Sequence, residues 1–143
     1  FLTTATLIAS PQFSPRPPVA FQTSPRSNLG RGEKCGLAHE KALEAAGDAI
    51  TLVMRVPAPL KSIADQVIRS ASSVPANLAE GHGRSGRDRL HFWRIAYASA
   101  KEVDSHMRLL VRAAGINRTE AERALSTFDE VRAMTWRLIN RKS

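Results

Sequence analysis

The chain is short of almost everything on which common catalytic and structural schemes depend. It has one cysteine, Cys35, so no disulfide can form within it and no oxidising compartment is indicated. No run approaches ~18 consecutive apolar residues, which excludes a sequence-evident membrane span. Aromatics make up only 6 % of the residues, and the apolar content is largely Ala, Leu, Ile and Val, a composition suited to closely approaching helices rather than a sheet sandwich. No serine stands in a G-x-S-x-G elbow and no cofactor signature occurs, so neither a catalytic residue nor a cofactor is assigned. His39, His82, His91 and His106 lack the paired Glu-x-x-His repeats of a bundle di-iron site; Glu102 and His106 are four apart, so no metal site is assigned. An enzyme built on Glu80 and His82 is the weakest of the function classes.

The chain has an excess of positive charge. Twenty-one Lys and Arg stand against thirteen Asp and Glu, a formal net charge of +8. Residues 1–36 carry five of the eight prolines, at 11, 15, 17, 18 and 25, with no sustained helical or strand period. They read as an extended or disordered tail that includes Cys35, and Phe1 to Ser10 lacks the basic start of a signal peptide. Residues 37–143 read as a single domain, and a cytoplasmic location is the simplest expectation.

From Leu37 onward, apolar residues recur every three and four positions, which predicts four amphipathic helices. Leu43, Ala46, Ile50, Val53 and Met54 mark the first. Pro57 and Pro59 separate it from a second marked by Leu60, Ile63, Ala64, Val67, Ile68, Ala71, Val74 and Leu78, whose stripe crosses Pro75. Gly81, Gly83 and Gly86 then break the pattern, and Ser85 with Asp88 offers a capping start for a third helix. That helix carries Phe92, Ala96, Ser99, Val103, Met107 and Leu110 on one face. Trp93, Tyr97 and Ala100 lie on an adjoining face, and Trp93 with Tyr97 suggests either a wide core stripe or an oligomer interface. Gly115 is the expected left-handed cap, and Asn117 with Glu120 starts the fourth helix, marked by Ala121, Ala124, Leu125, Phe128, Val131, Thr135 and Leu138. Short turns make sequential helices antiparallel neighbours, so the fold class is all-α, an up-and-down four-helix bundle.

Two polar groupings stand out. Arg69, Asn77, Glu80 and Glu102 lie near the apolar stripes, and a structural network that also satisfies the carbonyl freed by Pro75 explains them better than a catalytic pocket. Arg84, Arg87, Arg89 and Arg94 cluster around the second turn, and Arg132, Arg137, Arg141 and Lys142 near the carboxyl end. Up-down topology brings these groups towards one pole, where guanidinium forks suit phosphate.

The segment Ser73-Val74-Pro75-Ala76-Asn77-Leu78-Ala79-Glu80-Gly81 with Arg84, preceded by Asp65-Gln66 and Arg69 and followed by Phe92, Ile95-Ala96, Ser99 and Glu102, resembles a known family. These are small bacterial four-helix-bundle proteins encoded in intervening sequences of 23S ribosomal RNA genes. The resemblance covers about residues 38–141 and implies a left-handed bundle that assembles as a ring-like homopentamer. A related branch, the accessory proteins of diversity-generating retroelements, binds nucleic acid alongside a reverse transcriptase, whereas most members have no established activity. Pro57-Ala58-Pro59 replaces the longer link, commonly with a tyrosine and glycine, between the family's first two helices. The resulting expectation is a non-enzymatic homo-oligomer, with RNA or DNA bound non-specifically at Arg-rich bundle ends. An adaptor ring that engages another protein is the alternative. No small-molecule substrate is indicated.

Overall fold

The computed structural model describes residues 30–141. Four helices follow one another, α1 (Arg31–Val53), α2 (Lys61–His82), α3 (Gly86–Arg112) and α4 (Arg118–Asn140), with a single 3₁₀ turn at Ala58–Leu60 leading into α2. There are no strands among the described residues. Each helix packs against its sequence neighbours, and α4 closes the ring against α1, as an all-α antiparallel bundle requires.

α1 departs from expectation at its start and on its buried face. It begins at Arg31, six residues before Leu37, so residues 31–36 belong to the bundle and not to a tail. Glu33 explains the early start: its carboxylate accepts from the Gly30 backbone N–H at 2.8 Å, satisfying a donor that the helix end leaves open. The core face is Cys35, Ala38, Ala42, Ala45, Ala46, Ala49, Leu52 and Val53. Leu43 and Met54, expected inside, are 47 % and 74 % exposed. Alanine has the highest helix propensity and the smallest side chain that still marks a face, so this stripe lets neighbouring backbones approach closely.

The apolar stripe of α2 matches expectation more closely. Val67, Ala71, Val74 and Leu78 are fully buried, and Pro75 lies inside an unbroken helix. Proline in a helix interior costs about 3 kcal/mol, and the core that surrounds Pro75 offsets it. Gly81 does not break the helix. It is a buried residue of α2, and a Cβ built there would lie 2.5 Å from Trp93 Cδ1 and 2.6 Å from its Nε1. Of the three glycines expected to end α2, only Gly86 takes the left-handed conformation, at φ 53°.

Two of the expected caps differ. Ser85 stands at the N-cap of α3 without a side-chain hydrogen bond, so its pairing with Asp88 does not form. At the other end of α3 the left-handed residue is Ala114, at φ 55°, not Gly115. Gly115 N–H donates to Leu110 O at 2.8 Å and Ala114 N–H to Val111 O at 3.1 Å, the two bonds of a Schellman closure. Glycine is needed at 115 for room, because a Cβ there would meet Leu60 Cδ1 at 2.6 Å. The Asn117 cap forms as expected, its side chain accepting from Glu120 N–H at 3.1 Å.

Candidate nucleic-acid interface

The register of the helices decides which charges share a pole. Cys35 Sγ donates to Leu78 O at 3.6 Å, and a Cβ at Gly32 would touch His82, so the start of α1 lies beside the end of α2. At the far pole, Arg55 pairs with Glu120 at 3.2 Å and joins the end of α1 to the start of α4. Tyr97 stacks against Trp136 with ring centroids 5.7 Å apart, which sets α3 against α4. With about 1.5 Å of rise per residue, Arg137 and Arg141 therefore lie level with about Ala96 and Phe92 of α3, within a turn of Arg94 and roughly one to two and a half turns from Arg87 and Arg89. Arg31 and Lys34 join the same pole from the part of α1 that reads as tail in the sequence. Lys142 lies outside the described residues.

The arginines of this pole differ in what already holds them. Arg84 is tied to Glu80, with Nε 2.9 Å from Oε1 and a second bond from Nη2, and its guanidinium lies 5.5 Å from the Phe92 ring centroid. The Glu80 hydrogen bond and charge raise the Arg84 pKa above its ordinary value, so this cation is permanent. Arg89 donates Nε–H to Arg84 O at 2.7 Å and stacks over Trp93 at 5.7 Å. Arg87, Arg94, Arg137 and Arg141 are exposed and make no ion pair among the described residues. They are the side chains available to phosphate. The amino end of α3 adds its positive dipole, and Asp88 in the same turn opposes it. Arg132 is engaged by Asp129.

The expected network of Arg69, Asn77, Glu80 and Glu102 does not assemble. Asn77 donates both amide hydrogens to Ser73, to its carbonyl at 2.8 Å and its Oγ at 2.9 Å. It therefore serves Ser73 and not Ala71, whose carbonyl Pro75 leaves without a helical donor. Ser73 Oγ in turn meets Ser99 Oγ at 2.9 Å, a polar bridge from α2 to α3. Glu80 belongs to Arg84, and the exposed Arg69 and Glu102 form no ion pair among the described residues. The serines of this bridge lie within the family motif; what the sequence does not reveal is that helix pairing brings them together.

Trp93 is not an interface residue. It is 1 % exposed, wedged over Gly81, and its indole N–H has no hydrogen-bond partner among the described residues. Cys35, close to this indole, is a core residue rather than a tail residue. Burial raises the Cys35 pKa, and the indole and the charge of Arg89 partly offset the rise. Tyr97 is half-buried, and its partner Trp136 is 54 % exposed. Nothing in the periodicity singles out Trp136, because it falls one position past Thr135 in the buried stripe.

Among the described residues no group of three or more His, Cys, Asp or Glu side chains gathers as metal ligands would, and no helix is long and apolar enough to cross a membrane. A cleft of about 140 Å³ at the opposite pole is lined in part by Arg108, Arg112, Arg118 and Glu122 over Val111 and Leu125. Glu122 is the one carboxylate among its lining residues.

No curated protein matches the chain. Among solved structures, the chain is similar to a protein of unknown function from the S23 ribosomal protein family of Bacteroides thetaiotaomicron. The two are 26 % identical, with a TM-score of 0.68, over 74 % of this chain and 97 % of the other. Residues 37–137 match the family described as 23S rRNA-intervening sequence protein, the family whose motif runs through Ser73 to Gly81, and the chain belongs to it.

Proposed function

We propose that this protein is a non-enzymatic, self-associating cytoplasmic bundle that binds RNA or DNA without reading sequence, through the basic pole. The observation that carries the reading is the gathering of Arg87, Arg94, Arg137 and Arg141 at one end, free of acidic partners among the described residues, with Arg31 and Lys34 beside them. Phosphate contacts of this kind dominate non-specific affinity, and repetition of the pole around a homo-oligomer multiplies them. Such a ring is the assembly that the family resemblance implies, with five copies. Trp93 takes no part in its interface, since its ring is enclosed within one bundle.

Fluorescence anisotropy with mixed-sequence oligonucleotides over a salt series tests the reading. Affinity should fall steeply as salt rises, and Arg87→Ala, Arg94→Ala and Arg137→Ala together should flatten the log–log slope by about one for each phosphate that is no longer neutralised. Absence of binding at low ionic strength would refute nucleic-acid binding. A monomeric mass by light scattering would refute self-association.

The alternative, an adaptor that holds another protein, draws on the exposed apolar side chains Leu43, Met54 and Leu109. Weak, salt-insensitive oligonucleotide binding together with loss of a protein partner on Leu43→Glu would favour it.

A further inference from the structure

The seam between α3 and α4 is neither a closed core edge nor a plain charged surface. Arg87, Arg94, Lys101 and Arg108 recur every seven residues along the outer face of α3, about 10 Å apart at ~1.5 Å of rise per residue. Seven residues fall ~20° short of two full turns, so this ladder drifts around α3 as it descends. The sense of the drift is towards α4: Arg108, its last member, lines the cleft shared with Ala121 and Leu125 of α4. Arg94 and Lys101 lie a turn to either side of Tyr97, are exposed, and have no ion-pair partner among the described residues. A separate depression farther along the seam is lined by Tyr97, Asp129, Arg132, Ala133, Trp136 and Arg137.

In the middle of this cationic track sits an exposed tryptophan. Tyr97 packs against Trp136 at 44° between ring planes, holding the indole in place while more than half of its surface faces solvent. The acids nearby are already occupied in part: Asp104 is held by Arg108 at 2.9 Å and Asp129 by Arg132, while Glu122 lies farther down by Arg118. The depression at Trp136 is open to solvent along the α3/α4 seam, so an extended strand can lie in it.

We propose that the α3/α4 groove binds single-stranded nucleic acid, with an unpaired base stacked on Trp136 and the flanking phosphates on Arg94, Lys101 and Arg137. The inference rests on the nucleic-acid reading of the pole and extends it to the form of the ligand. A fixed aromatic face flanked by cations recognises a base through its ring face and a strand through its charge, without regard to sequence. A duplex presents its phosphates but keeps its bases stacked, so it meets the arginines and leaves the indole unused. The groove ends near the basic pole, so one strand can run from Arg137 and Arg141 onto the aromatic pair.

The test compares a 12-nucleotide single-stranded RNA, the same sequence as DNA, and the corresponding RNA duplex, by anisotropy at one ionic strength. Full-length protein is used as wild type, Trp136→Ala and Trp136→Phe. The single strands should bind more tightly than the duplex. Trp136→Ala should weaken single-strand binding by about 5- to 150-fold, the range expected for loss of one stacked base, leave duplex binding within about two-fold, and be largely rescued by Trp136→Phe. Equal affinity for strand and duplex, unchanged by Trp136→Ala, would overturn the groove proposal and leave the pole as the site. Failure of every oligonucleotide to bind would overturn both. A change in particle mass on Trp136→Ala would show that a second copy of the chain covers the indole, and would overturn the groove proposal alone.

Discussion

The two tryptophans of this chain lie in opposite surroundings. Trp93 is sealed at 1 % exposure above Gly81, beside the Cys35 thiol and under the guanidinium of Arg89, while Trp136 stands 54 % exposed on the edge of α4 with Tyr97 against it. The difference is not one of residue chemistry. It is set by the neighbour each ring meets: a missing Cβ on α2 makes a slot for Trp93, and among the described residues no third helix covers the α3/α4 seam above Trp136. The first ring is part of the core, and the second presents its face to solvent among the described residues.

Removal of Trp93 should have the largest effect. Trp93→Ala leaves a cavity between α2 and α3 and should lower stability by about 3–5 kcal/mol, read as a fall in the urea midpoint. A fall of less than roughly 1 kcal/mol would mean that this end of the bundle is far looser than its burial indicates. Gly81→Ala attacks the same contact from the other side. Helix propensity favours alanine by up to ~1 kcal/mol, but the added methyl must displace a fully buried indole or the Arg89 carbonyl, 3.2 Å away. Overpacking of this kind costs roughly 1–3 kcal/mol, so the net change should be destabilising, accompanied by a shift in Trp93 fluorescence.

Cys35 sharpens the comparison through pH. Its folded pKa is raised above the ordinary thiol value of 9.0, chiefly by burial. In the unfolded chain the thiol ionises first as pH rises, while the folded protein keeps its proton, so stability is complete below that value and falls above it. Urea titrations at pH 8 and pH 10 should show a drop that is smaller in Cys35→Ala. Equal drops would mean that the thiol is hydrated in the folded state. A smaller effect on stability belongs to Trp136→Ala, about 0.5–1.5 kcal/mol for the lost contact with Tyr97, because a half-exposed edge residue leaves no enclosed cavity. A loss above about 2 kcal/mol, the scale of a core truncation, would place Trp136 with Trp93 as a packing residue and remove the contrast.

Much of the architecture is legible in the sequence because long amphipathic periods leave few alternatives. The stripe Val67, Ala71, Val74 and Leu78 locates α2 even through Pro75, and Asn117 with Glu120 locates the start of α4 to the residue. α1 is harder to phase. Its buried face is alanine, whose weak apolar signal lets Leu43 and Met54 suggest a face rotated from the real one. Its first six residues are hidden by their polarity and by the proline-rich stretch before them. Glycine also misleads. Gly81 signals a break where it makes room for Trp93, and Gly115 signals a left-handed cap where Ala114 takes that conformation and Gly115 makes room for Leu60.

The candidate site is legible as charge but not as arrangement. Sequence spacing puts Arg84, Arg87, Arg89 and Arg94 around one turn, and topology adds Arg137 and Arg141. It does not show that Glu80 claims Arg84 and that the indole of Trp93 claims Arg89. Trp136 escapes notice for a related reason. A tryptophan beside a helical stripe reads as core, and only the relative rotation of α3 and α4 shows which of two aromatic rings is covered.

Acrylamide quenching of the intrinsic tryptophan fluorescence, in free protein and in protein saturated with a single-stranded 12-nucleotide RNA, tests the central claim most directly. In free protein one emission component should be quenched readily and one only weakly, with the accessible component absent in Trp136→Phe. Saturating RNA should shield that component alone. Uniform quenching of both rings, or an accessible ring that RNA leaves unprotected, would contradict the account.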